Sequence, residues 1–280
     1  MKALLAVNPH SRLGRRLGER VRGELRRRGI ELIEDARRLG EVDAIVVAGG
    51  DGSFARWIER ALARGVPMGL VPLGTFNDLA RTLAIPLDVE GACEVIARGV
   101  ARAIDVARVN GTYYVSEASV GVSSRVARLQ RERDKQRLGL LAIVVSALGA
   151  VRHMRPFHAE IGYEGKVERV KTIQLTVANS NHFGGVITVA DAAIDDGWLD
   201  LYSVEIGTLV EAIQVAGAIA AGRRQGERAL RAYRAAAFEV VTRRPHRITA
   251  DGEPAGSTPA RFEVLPKALR VFAPEPRGRA

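Results

Sequence analysis

Three short stretches carry residue types that suit phosphate chemistry: "NPHSR" at 8–12, "GGDGS" at 49–53 and "LGTFND" at 73–78. Gly49, Gly50 and Gly52 let the backbone approach an anion closely. A helix beginning just after such a loop aims its free N–H groups and positive dipole end at the same place. That is a phosphate cradle. It is not a Walker A loop, since no Gly-Lys-Ser/Thr follows, nor the G-x-G-x-x-G fingerprint. Asp51 stands inside the cradle and would repel a phosphate unless a cation lay between them. Mg2+ is held by one or two carboxylates, waters and phosphate oxygens. Asp78 occupies the matching place in the third stretch, so the two aspartates can share one Mg2+ on a triphosphate. The alternative is that each only caps a helix, as aspartate commonly does.

Two later stretches are acidic turns. In "ITADGEPAG" (248–256), Asp-Gly between strand-like residues is a routine hairpin turn. If that turn faces the glycine loops, Asp251 or Glu253 can supply the base that phosphoryl transfer to a hydroxyl needs. "AAIDDGWLDL" (192–201) sets acidic side chains and carbonyls at a turn, which suits either a hard cation or a plain polar turn.

The elements around these loops read as two architectures. "KALLAVNP", "DAIVVAGG" and "PMGLVPLG" are apolar runs, as in strands buried on both faces of a parallel sheet. "RRLGERVRGELRRRG" carries Leu17, Val21 and Leu25 four apart, one buried stripe on a basic helix. Helices are also expected at "SFARWIERALARG", at "FNDLARTLAI" and at "DVEGACEVIARG", followed by a strand at "ARAIDVARV". This β-α alternation marks an open α/β layer, where ligands sit at the carboxyl ends of the strands. After about residue 108 the pattern becomes antiparallel β, with turn signals at Asn110-Gly111 and Glu164-Gly165. Helical stretches near 124–152 and 207–230 interrupt it, and "ALRVFAP" can return to the first domain. The expected division is residues 1–107 with 266–280 returning, against 108–265.

The chain has 280 residues, 42 Lys+Arg against 32 Asp+Glu, and a net charge of +10, which draws it to polyanions. Its basic residues are spread out and not interleaved with aromatics, so no nucleic-acid partner is expected. Cys93 is the only cysteine, which excludes an internal disulfide and a cysteine metal cluster. "MKALLAVNPH" lacks the features of a signal peptide, and the uncharged run 138–151 falls short of the ~20 residues that span a bilayer. A cytoplasmic protein is expected.

Together these stretches resemble the diacylglycerol kinase catalytic family, which includes bacterial lipid kinases and the sphingosine and ceramide kinases. The resemblance is carried by "NPHSR", "GGDGS" and "PLGTFNDLAR", and continues through "AIDVARV", "ASVGVSSRV", "VANSNHFGGV", "DDGWLDL" and "ADGE" followed by "LPKALRV". It implies a phosphofructokinase-like, Rossmann-like α/β nucleotide-binding domain, a C-terminal antiparallel β-sandwich, and an active site in the cleft between them. It implies an ATP-dependent lipid kinase with ATP and Mg2+, acting on a lipid at a membrane surface, peripheral at the inner face. Nucleotide contacts are implied at Asn8, Pro9, His10, Ser11 and Arg12, at Gly49, Gly50, Asp51, Gly52 and Ser53, and at Gly74, Thr75, Asn77 and Asp78. Asp51 and Asp78 are implied around the catalytic Mg2+, and Asp251 or Glu253 as the base, supported by Asp105. A structural Mg2+ is implied at the Asp196 side chain with the carbonyls of Ala193 and Trp198.

The chain departs from the family where Ala55 and Arg56 replace the usual Asn-Glu. It also lacks an evident nucleotide-binding threonine in "GIELIEDARRLGE" and a proline before the acidic turn. Other readings are a soluble-substrate kinase of the NAD-kinase type and a non-catalytic nucleotide-binding protein. A homodimer stays open.

Overall fold

A computed structural model describes residues 1–8, 12–121, 156–180, 182–183, 187–188, 193–205 and 230–275. The expected helices near 124–152 and 207–230 lie outside the described residues.

The first half alternates as its apolar periods dictate: β1 (Lys2–Val7), α1 (Arg12–Arg27), β2 (Glu31–Ile33), a 3₁₀ turn at Ala36–Glu41, β3 (Ala44–Gly49), α2 (Asp51–Arg64), β4 (Met68–Pro72), α3 (Asp78–Thr82) and α4 (Val89–Arg98). β2, β1, β3 and β4 lie side by side and parallel. Every residue of β3 and β4 is buried, which explains their unbroken apolar runs. On α1, Val21 and Leu25 are buried and Leu17 packs against the same core. α2 and α4 end on Gly65 and Gly99, both left-handed, as helix ends favour. Cys93 is buried on α4, and burial pushes its thiol up to about 11, the behaviour of an inert core residue.

The second half is β5 (Ala101–Val109), β6 (Thr112–Tyr114), β7 (Glu117–Gly121), β8 (Phe157–Tyr163), β9 (Lys166–Thr172), β10 (Gln174–Ala178), β11 (His182–Phe183), β12 (Ile187–Thr188), β13 (Leu199–Val204), β14 (Leu230–Ala235), β15 (Ala237–Thr242), β16 (Arg247–Ala250), β17 (Glu253–Ser257) and β18 (Ala260–Phe272). One antiparallel sheet runs β14-β13-β10-β7-β16-β17. It packs on β8, β15 and the start of β18, and Val120, Leu175, Leu201, Phe238 and Phe262 share one core. Asn110-Gly111, Glu164-Gly165 and Asp251-Gly252 all have two consecutive positive φ values, the requirement of a tight hairpin turn.

The two halves are joined by strands rather than by a linker. "ARFEVLP" and "ALRVFAP" form one strand, β18, paired with β5 almost throughout. Its start pairs with β15 and its end with β4. The register slips between Leu265 and Leu269, where Lys267 has φ +50. Ile104, Val106, Leu269 and Val271 belong to the α/β core, while Ala107, Val109 and Phe262 belong to the β core.

Candidate active site

Asn8 and the second and third loops meet at the carboxyl ends of the adjacent strands β1, β3 and β4. Asn8 Nδ2 donates to Ser53 Oγ at 3.2 Å, tying the first loop to the second. The Leu73 amide donates to the Gly49 carbonyl at 2.9 Å, tying the second to the third. Gly50 and Gly74 touch backbone to backbone: a Cβ on Gly74 would stand 2.5 Å from Gly50 Cα. Only glycine permits that approach. Asn77 holds the third loop in shape from a left-handed conformation. Its Oδ1 accepts from the Gly74 amide at 2.8 Å and its Nδ2 donates to the Gly74 carbonyl at 3.2 Å. Thr75 is exposed at the tip. Pro9, His10, Ser11 and the Arg12 side chain lie outside the described residues.

Asp51 opens α2, yet its carboxylate reaches across to α3. Oδ2 accepts from the Asp78 amide and Oδ1 from the Leu79 amide, each at 3.1 Å. It therefore caps the neighbouring helix and is held beside Asp78, which is only 4% exposed. Among the described residues, no three Asp, Glu, His or Cys side chains form a preformed metal group.

The Asp251–Glu253 turn faces these strand ends. A Cβ on Gly52 would stand 2.8 Å from the Asp251 carbonyl oxygen and 3.0 Å from Glu253 Cγ. The Asp251 carboxylate is buried in a cradle of consecutive amides: Val115 at 2.8 Å, Ser116 at 3.0 Å and Glu117 at 3.1 Å. Burial and the nearby Asp51 charge push Asp251 up to about 7, against the three amides that pull it down. Glu253 is more open, and its Oε2 pairs with the Arg56 guanidinium at 2.9 Å.

Asp105 sits apart from the cleft's surface, 1% exposed. Its Oδ2 accepts from the Gly197 amide at 2.6 Å and its Oδ1 from the Lys267 amide at 2.7 Å. It pins the bulge of β18 and the acidic turn to β5. Asn179 joins it to the Asp251 cradle, donating to the carbonyls of both Asp105 and Val115 at 3.1 Å. The sequence reading assigned no role to Asn179 or to the 115–117 amides. Asn179 lies in "VANSNHFGGV", one of the stretches that resemble the family, whereas backbone donors leave no side-chain signal.

At the acidic turn, Asp196 accepts from the Ala193 amide at 3.2 Å and the Trp198 amide at 3.0 Å, and pairs with Arg234. The guanidinium supplies the positive charge that a cation was expected to bring. Arg234 thus holds the carboxylate expected at a structural Mg2+.

The fold of this chain is also seen in solved structures. A crystal structure from Bacillus anthracis str. Sterne, described as a diacylglycerol kinase, superposes with TM-score 0.73 at 19% identity, over 98% of this chain and 97% of that one. An Archaeoglobus fulgidus NAD kinase in complex with ATP superposes with TM-score 0.54 at 15% identity, over 98% of this chain and 94% of that one. These likenesses define the fold class, an N-terminal α/β domain followed by a C-terminal β-sandwich.

The sequence matches are more specific. The diacylglycerol kinase catalytic domain matches residues 2–109, and the YegS C-terminal NAD kinase beta sandwich-like domain matches residues 116–273. A Bacillus subtilis diacylglycerol kinase is 31% identical over 85% of this chain and 80% of its own length. An uncharacterized Synechocystis protein is 29% identical over 84% of this chain, which spans only 56% of that protein. The chain belongs to the diacylglycerol kinase family.

Proposed function

We propose that this chain transfers the γ-phosphoryl group of ATP to the hydroxyl of a diacylglycerol-like lipid, with Asp251 as general base. The observation that carries the reading is the docking of the Asp251 turn against the first turn of α2. It sets the Asp251 backbone and the Glu253 side chain against the glycine loop, close enough for the Asp51 charge to act on the buried Asp251 carboxylate and help raise it to about 7. A base titrating near the working pH combines availability with driving force. Glu253, exposed and paired with Arg56, suits a role in shaping the turn.

The step balances simply. The acceptor oxygen forms its bond to the γ-phosphorus as the bond from that phosphorus to the bridging β-γ oxygen breaks. The hydroxyl proton passes to Asp251, and ADP leaves. Gly49 to Ser53 and Gly74 offer backbone donors and close approach for the phosphates. Asp51 and Asp78 are the residues that would hold Mg2+, since two adjacent carboxylates on neighbouring loops fit an ion that takes its remaining ligands from water and phosphate. When bound, that ion neutralises charge on the phosphate oxygens.

The test offers γ-labelled ATP with diacylglycerol in detergent micelles and, separately, with NAD. Label in a phospholipid product is the expected result. Label in NAD alone would leave the soluble-substrate reading, and no transfer to either would leave a nucleotide-binding protein.

A further inference from the structure

Most arginines among the described residues are already paired. Arg22 holds Glu34 at 2.7 Å, Arg38 holds Glu41 at 2.6 Å and Arg261 holds Glu239 at 2.9 Å. The far end of the sandwich differs. There Phe157, His158, Arg243, Arg244 and His246 line a cavity of about 240 Å³. Lys171 stands opposite His158 in the β8–β9 register, where directly opposed residues share a face. None of His158, Lys171, Arg243, Arg244 and His246 enters an ion pair among the described residues. The unpaired Lys171, Arg243 and Arg244 gathered at a concavity concentrate anions.

The cavity is preorganised. The His246 ring stacks on Phe157 at 4.2 Å between centroids. Thr242 Oγ1 donates to the Arg244 carbonyl at 2.8 Å, and the His246 amide donates to Thr258 Oγ1 at 2.9 Å. Nucleotide-sized ligands need ~300–1,000 Å³, so this space suits a smaller anion. It is also separate from the candidate active site. β7 and β16 carry Glu117 and Asp251 at one end, and Gly121 and Arg247 at the other. A Cβ on Gly121 would stand 3.0 Å from the Phe157 ring. Four residue steps along the strand, about 13 Å, separate Arg247 from Asp251.

We infer that this cavity takes the phosphate of an anionic phospholipid headgroup and seats this end of the sandwich on a bilayer. A free phosphate ester offers the same chemistry. A bilayer is favoured because Lys171, Arg243 and Arg244 are all exposed at or beside the cavity, more cations than one phosphate neutralises. Assigning a bilayer rests on the lipid acceptor proposed above.

The test sediments the whole chain with phosphatidylcholine vesicles, with and without phosphatidylglycerol. Arg243→Ala/Arg244→Ala should weaken binding to the anionic vesicles about thirtyfold, the loss expected for two basic groups near such a surface. Arg243→Lys/Arg244→Lys should retain it, and both variants should phosphorylate micellar diacylglycerol as the parent does. Equal binding by the alanine variant and the parent overturns the inference, as does a parent that ignores anionic vesicles. Saturable glycerol phosphate binding read from the His246 ring resonances, with vesicle binding unchanged in the alanine variant, assigns a free anion and overturns the bilayer. Failure of the parent to phosphorylate micellar diacylglycerol overturns the lipid-kinase reading, and with it the reason for preferring a bilayer. The vesicle and glycerol phosphate arms still report separately whether the cavity binds anions.

Discussion

The Cβ position of Gly52 lies 2.8 Å from the Asp251 carbonyl oxygen, so the glycine loop and the acidic hairpin meet with no room for a methyl group. Gly52→Ala must push the 251–253 turn away from α2. Overpacking of this kind costs about 1–3 kcal/mol of stability. A displacement of ~1 Å at a reacting group costs about a hundredfold in rate. The expected outcome is a folded enzyme with kcat reduced about a hundredfold and ATP affinity nearly kept. A variant with normal kcat would show that the contact does not position the base.

Asp251 carries a pH signature. As a base it works when ionised, so with its carboxyl at about 7 the rate should fall as pH drops through that value. Asp251→Asn removes the base and should lower kcat by about 10²–10⁴-fold while ATP still binds. Stability runs the other way. Between about 4 and about 7 the folded protein keeps a proton that the unfolded chain releases, so rising pH progressively favours unfolding. The full shift is worth about 4 kcal/mol. Chemical denaturation at several pH values should show this decline in the parent and a flatter profile in Asp251→Asn. Parallel profiles would mean that Asp251 does not hold the shifted proton.

The α/β half was legible in the sequence because each signal there is local. Apolar runs gave β3 and β4, the four-residue stripe gave α1, and Asn110-Gly111 and Asp251-Gly252 gave their turns. The joining of "ARFEVLP" and "ALRVFAP" into one strand was not legible, because Pro266 and Lys267 read as a break and only pairing with β5 carries the strand across them. The meeting of Gly52 with Asp251 was legible only as a condition, since nearly 200 residues separate them in sequence. The amide cradle at 115–117 was illegible, because its donors belong to the backbone. Arg56 stands out in the sequence as a departure, but its partner Glu253 comes from the other domain.

Asp105 should prove a positioning residue whose loss is felt first in folding. Asp105→Ala leaves the amides of Gly197 and Lys267 without their buried acceptor. Each such group costs about 1–3 kcal/mol, so a loss of roughly 2–5 kcal/mol is expected in denaturant unfolding. Asp105→Asn keeps one acceptor and should lose less. Where the protein remains folded, ATP affinity should be close to that of the parent. A stable Asp105→Ala variant lacking only turnover would instead place Asp105 in the chemistry.

Arg56 and Glu253 form an exposed pair, with side chains 63% and 44% accessible. Such pairs contribute about 0–1 kcal/mol to stability, so a double-mutant cycle on unfolding should give a coupling within that range. Turnover should respond more, because the pair braces the turn bearing the proposed base. Arg56→Ala should lower kcat modestly and Arg56→Lys should restore most of it. Glu253→Gln should stay far more active than Asp251→Asn, and the reverse order would make Glu253 the base.

The acidic turn yields the last prediction. Asp196 is balanced by Arg234, and the same turn delivers the Gly197 amide to Asp105. Without nucleotide, the melting temperature of the parent should therefore be insensitive to Mg2+. Arg234→Ala leaves a part-buried carboxylate that two amides alone must satisfy, and should lower stability by about 1–2 kcal/mol. The freed carboxylate and the carbonyls of Ala193 and Trp198 then become available to a hard cation. Mg2+ should raise the melting temperature of Arg234→Ala and leave that of the parent unchanged. A parent protein already stabilised by Mg2+ without nucleotide, and losing that response in Asp196→Asn, would show that the turn takes a cation despite the guanidinium.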